Sequence, residues 1–249
     1  MLIEPKDLLL EDRLAPITTS MGFFETECAD VVQHFLGWQE EIKKTGRFIK
    51  RITSRPVTGT LEQVLQALLP LKTNTATRYL FIPARNGWTA YFDNGFRGTD
   101  PTVIVHLPEL MHSRSVWVVA NPHQPGTSVN RSGWLIMEVY GHEKTEWLNL
   151  IRRIRLENDL GKWHFEQFGS PFPFEQTERY LAKKKTDRFD LPLLKQYLHA
   201  LGGLSPFDEN FFLPPDHRKA VLVKISTSQI VENKDIPFEE AKRLNGIDS

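Results

Sequence analysis

The chain has 249 residues, 40% of them apolar and 11% aromatic, enough to bury a sizeable core and to exclude an intrinsically disordered protein. Lys and Arg number 31 and are balanced by 31 Asp and Glu, so no bulk field draws the protein to nucleic acid or anionic lipid. A lone cysteine, Cys28, can close no internal disulfide and can supply no zinc cluster of thiolates.

The charged start from Met1 to Asp7 lacks the apolar centre of a signal peptide, and no apolar run nears the roughly 20 residues of a membrane span. A soluble, cytoplasmic protein is expected. Residues 1–22 mix Leu8, Leu9 and Leu10 with Pro5, Pro16 and Gly22 and hold no period, so they predict an N-terminal arm. From Phe24 onward, Cys28, Val31, Val32, Phe35, Trp38 and Ile42 recur at spacings of three or four, the stripe of an amphipathic helix. Lys43 and Lys44 suit its carbonyl end, and Gly46 turns the chain out.

An extended run from Phe48 to Thr53 precedes Pro56 and Gly59. Thr60 and Gln63 then have the spacing of a capping box, opening a helix with Leu61, Val64, Leu65, Leu68 and Leu69 inside and Pro70 at its end. Arg78–Pro83 and Trp88–Phe92, joined by Ala84-Arg85-Asn86-Gly87, predict a β-hairpin, because Asn-Gly tolerates the positive φ of a tight turn. Residues 100–113 carry a helix start at Asp100-Pro101 but a strand-forming Val103-Ile104-Val105, and Pro108 interrupts either; a helix is preferred.

Strands follow at Val116–Ala120, Trp134–Tyr140, Leu148–Leu156 and Lys162–Phe168, a spacing that implies an antiparallel sheet. Gly169, Pro171 and Pro173 break it. A short helix is expected from Glu175 to about Lys184, and a longer one capped by Asp190, with Leu191, Leu194, Leu198 and Leu201 on one face. Ala220–Ile225 gives a last strand, and a polar tail, 227–249, could form a short helix after Pro237. Strands grouped between helical ends predict an α+β fold: a central antiparallel sheet with helices packed from the N-terminal and C-terminal segments, one domain over 23–226.

No phosphate-cradling loop, GxSxG elbow or HExxH spacing occurs, so no cofactor or metal site is read. Cys28 falls on the apolar stripe and reads as a core thiol. Between Trp88 and Asp100, the loop half gathers Asp93, Asn94, Arg97 and Asp100 among two glycines. Such groups can bind a partner from an exposed turn, or merely form the turn and cap a helix. His164 and Glu166 are two apart and share one strand face, which would let them act with Asp93 if the fold brought them together. Arg47, Lys50, Arg51 and Arg55 form a basic cluster that could contact phosphates.

Two stretches carry a resemblance. Arg78-Tyr79-Leu80 leads to Trp88-Thr89-Ala90-Tyr91-Phe92-Asp93-Asn94. Later, Trp163-His164-Phe165-Glu166 is followed by Gly169-Ser170-Pro171-Phe172-Pro173-Phe174-Glu175 and by Tyr180, Asp187-Arg188-Phe189 and Tyr197-Leu198. The pattern, over residues 75–212, resembles a family of uncharacterised bacterial proteins similar to the immunity partners of polymorphic toxins. The resemblance implies a protein partner such as a toxin and brings no catalytic residues. The leading expectation is therefore a protein-binding protein anchored by Trp88, Tyr91, Arg97 and Trp163, with Asp93, Asn94, His164 and Glu166 as further binding residues. An enzyme with a dispersed polar site and a nucleic-acid binder are the alternatives.

Overall fold

A computed structural model describes residues 3–46, 49–123, 132–159, 161–213, 219–228 and 232–247. The fold is α+β. Its spine is a nine-stranded antiparallel sheet whose centre is β1 (Ser20–Phe24), flanked by β5 (Thr89–Asp93) and β6 (Ser115–His123). Every residue of β1 is buried, because alternate side chains face two different cores. The strand was therefore hidden within the expected arm. The rest of that segment packs as well: Leu8, Leu9, Leu10, Leu14 and Ile17 join the core through short 3-10 turns.

On one side of the centre, β5 pairs with β4 (Arg78–Pro83) as the expected hairpin, its turn using the positive φ of Asn86 and Gly87. β10 (Ala220–Thr227) pairs with β4, and β2 (Ile49–Val57) closes that edge. Pro56 lies in β2, where an edge strand tolerates a missing N–H. On the other side, β6 is followed in order by β7 (Ser132–Tyr140), β8 (Leu150–Asp159) and the opposite edge β9 (Lys162–Phe168).

One face of the sheet carries α1 (Cys28–Lys44) and α3 (Thr102–Met111), whose Val31, Phe35, Ile104 and Leu107 pack on Phe24, Phe81 and Tyr91. The helix over 100–113 therefore forms despite its proline. Pro108 cannot donate to Ile104 O, and Ser115 Oγ donates to that carbonyl at 2.6 Å in its place. The other face is covered by the N-terminal segment, α2 (Leu61–Gln66) and α4 (Leu191–Ala200). α2 has the full capping box at Thr60 and Gln63, and Asp190 caps α4 by accepting from Leu193 N at 2.9 Å.

The expected helix after Glu175 is instead two 3-10 turns, Thr177–Leu181 and Lys185–Asp187. The chain there is bent around Arg152, a fully buried guanidinium held by both oxygens of Glu175. The tail also docks: β11 (Asp235–Ile236) pairs with β3 (Leu71–Lys72), and α5 (Phe238–Leu244) follows Pro237. Among the described residues no helix is long and apolar enough to cross a membrane.

Candidate functional site: an aromatic cleft above Asp93

The helices leave part of the sheet face uncovered where β1, β5, β6 and β7 end, and there a cleft of about 700 Å³ opens. Strand alternation decides what its floor presents. Ser20, Tyr91, Asp93, Trp117, Val119, Asn121 and Trp134 all line it, and register confirms their common face, with Gly22 opposite both Tyr91 and Trp117. Gly22 allows the close packing behind the floor: a Cβ there would sit 2.6 Å from Ile104 and 2.9 Å from Tyr91. Trp38 and Gln39 of α1 form one wall, and Trp38 is steadied by the His106 ring at 4.3 Å. The loop 95–100, Tyr79 and Lys72 form the others.

Asp93 is the electrostatic centre. It is 1% exposed, and its oxygens accept from Gly95 N at 2.8 Å, Asp100 N at 2.9 Å and Tyr91 Oη at 3.3 Å. Those donors favour the carboxylate, but burial outweighs them and the nearby Asp100 charge adds to it, so the Asp93 carboxyl is pushed up to about 7. Burial likewise raises the Tyr79 and Tyr91 phenols, with the Asp93 charge adding to both. The loop that carries these contacts needs Gly98, whose φ is +96° and whose missing Cβ makes room for Pro16 O and Ser20.

Two buried polar side chains border the cleft. Thr99 is 3% exposed, and its hydroxyl has no hydrogen-bond partner among the described residues. Gln39 sits buried on the otherwise apolar stripe of α1. Arg97 is exposed at the rim, its guanidinium 5.2 Å from the Phe96 ring centre. Lys72 is committed to Asp235 at 2.6 Å.

The sequence-based candidates divide. Tyr91, Asp93 and Arg97 meet in the cleft. Asn94 is fully buried and serves as a staple, accepting from Thr77 N and Arg78 N and donating to Pro70 O. Trp88 is also no surface anchor: it is 2% exposed and donates to Gly202 O at 3.0 Å, tying the hairpin to the end of α4. Trp163 is half-buried on the opposite core, edge-on to His123.

His164 and Glu166 are exposed on β9, five strands from β5, or about 24 Å at the usual strand spacing. Glu166 faces Arg153 at 3.5 Å. The constellation expected to join them to Asp93 does not assemble. In the basic cluster, Arg47 lies outside the described residues, and Lys50, Arg51 and Arg55 are exposed on the edge strand β2, with Lys50 at a bulge where the register with β10 shifts.

Trp38, Gln39, Tyr79, Thr99 and Trp117 were not singled out from the sequence. The one signal was Gln39, a polar residue at a stripe position of α1. Among the described residues, no group of three or more His, Cys, Asp or Glu side chains is placed to hold a metal ion. No family model, curated protein or solved structure matches the chain.

Proposed function

We propose that this is a protein-binding protein that receives a protruding segment of its partner in the cleft above Asp93. The observation that carries this reading is the convergence, in one recess, of aromatic walls, a buried carboxyl with three donors and an unpartnered buried hydroxyl. Aromatic side chains and arginine dominate binding energy where they line pockets, and Trp38, Tyr79, Trp117 and Arg97 occupy such positions here. The resemblance of residues 75–212 to immunity proteins agrees with this reading, and on it the partner is a toxin met in the cytoplasm. The Phe172–Glu175 segment of that pattern then contributes to folding, since Glu175 is spent on Arg152.

The test is capture of a stoichiometric partner by the wild-type chain and by Arg97→Ala, a truncation at the exposed rim. The reading expects capture to weaken with Arg97→Ala while the fold is kept. A partner that binds both chains equally, or no partner at all, refutes it.

A second reading is favoured by one observation. A carboxyl pushed up to about 7 in a cleft has the proton affinity of a general acid or base. On that reading Asp93 acts without His164 or Glu166. Turnover of a cleft-bound compound that Asp93→Asn abolishes, with the compound still bound, would favour the enzyme.

A further inference from the structure

We infer that the cleft recognises a cationic side-chain head, the ammonium of a lysine or the guanidinium of an arginine, seated between the aromatic walls with Asp93 beneath it. The inference rests on the protein-binding reading and names the chemistry of the inserted group.

Three independent features point to a cation. The partly exposed aromatic side chains Trp38, Tyr79 and Trp117 line the cleft, and aromatic rings attract a cation held within about 6 Å of their centres. Beneath them lies a carboxyl that accepts three hydrogen bonds and forms no ion pair with any described residue. The Thr99 hydroxyl, buried and without a partner among the described residues, supplies a further acceptor of the kind an N–H group requires. The charged groups that face Asp93 do not already fill this role. Lys72 on β3 is paired with Asp235, Asp100 caps Thr102 N at 2.8 Å, and Arg97 lies against Phe96 at the rim. Tyr79 and Tyr91, from β4 and β5, stay neutral because burial raises both phenols.

A cation within about 4–6 Å favours the charged carboxylate, so binding is linked to loss of the Asp93 proton. With that carboxyl near 7 in the free protein, its ionised fraction rises about tenfold from pH 6 to pH 8, and apparent affinity follows it. A neutral ligand shows no such gain.

The experiment titrates the full chain with n-butylammonium chloride and with n-butylguanidinium chloride, using n-butanol and glucose as neutral controls. Tryptophan fluorescence reports on Trp38 and Trp117, and carboxyl ¹³C chemical shifts follow Asp93 itself in the wild-type chain, so no folding-sensitive variant is needed. Saturable binding of at least one cation is expected, strengthening about tenfold between pH 6 and 8, with the Asp93 titration moved to lower pH at saturation. Thr99→Val, which removes an unpaired hydroxyl and should fold, is expected to weaken the cation several-fold.

Absence of saturable binding by both cations overturns the inference, as does glucose binding in the cleft without pH dependence. If the cations fail while the partner still needs Arg97, the chemistry named here falls and the protein-binding reading stands. If the cations bind as stated but no captured protein competes with them, the cation site stands and the protein-binding reading falls.

Discussion

Removing the Glu175 carboxylate should be among the most damaging single changes outside the apolar core. Arg152 and Glu175 are both fully buried side chains, and all five guanidinium N–H groups are used: two on Glu175, one on Gln167 Oε1, and one each on Phe168 O and Gly169 O. Glu175 also accepts from Phe172 N at 2.9 Å and Tyr180 Oη at 2.7 Å. Glu175→Ala would leave a positive charge in the interior with two donors idle. Breaking a buried pair from one side costs about 3–5 kcal/mol, a fifth or more of the roughly 5–15 kcal/mol that holds an ordinary domain together.

Urea unfolding followed by tryptophan fluorescence measures the change. The double variant Arg152→Met/Glu175→Met separates charge from shape: removing both ions should cost less than Glu175→Ala alone, because no uncompensated charge remains. A loss below about 1 kcal/mol for Glu175→Ala, or a double variant costing the sum of the two single changes, would refute the reasoning.

The other predictions follow from the cleft and the caps. The folded chain keeps the Asp93 proton up to about pH 7, whereas an unfolded carboxyl releases it near 4. The contribution of this group to stability is therefore full below about pH 4 and lost as pH rises through 7, by up to about 4 kcal/mol. Denaturation across that range should show the decline in the wild type and a flatter profile in Asp93→Asn. Gly22→Ala should cost about 1–3 kcal/mol in thermal unfolding and disturb the cleft, because its Cβ would press on Ile104 and Tyr91. Asp190→Ala should cost about 1 kcal/mol for the lost N-cap and up to about 1 kcal/mol more for the ion pair it makes with Arg179 at 2.8 Å, without changing partner capture.

The sequence made the regular elements legible where pattern and punctuation agree. The α1 stripe, the Thr60 box, the Asn86-Gly87 turn and the four strands from β6 to β9 each combine periodicity with a stop signal. β1 was not legible, because Ser20–Phe24 is buried on both faces and shows no alternation, and Phe24 also continues the stripe of α1 backward. The 3-10 turns after Glu175 escaped because a long-range partner, Arg152, sets the path of the chain there.

Half of the cleft could be anticipated, since the glycine-flanked Asp93–Asp100 loop is polar and turn-rich. The rest could not. Trp38, Tyr79 and Trp117 come from three distant elements and meet only through sheet order and register. The pairing of His164 and Glu166 with Asp93 failed for the same reason: strand parity puts residues on one face without saying how many strands lie between them.

Hydrogen–deuterium exchange of the chain with and without its captured partner tests the central claim most directly, because it reports which surface is covered. The account predicts new protection confined to residues 72–76 and 93–102 and to the part of α1 around Trp38, the segments that border the cleft. Protection centred instead on His164 and Glu166 of β9, or on Arg51 and Arg55 of β2, with the cleft segments exchanging as in the free protein, would contradict it.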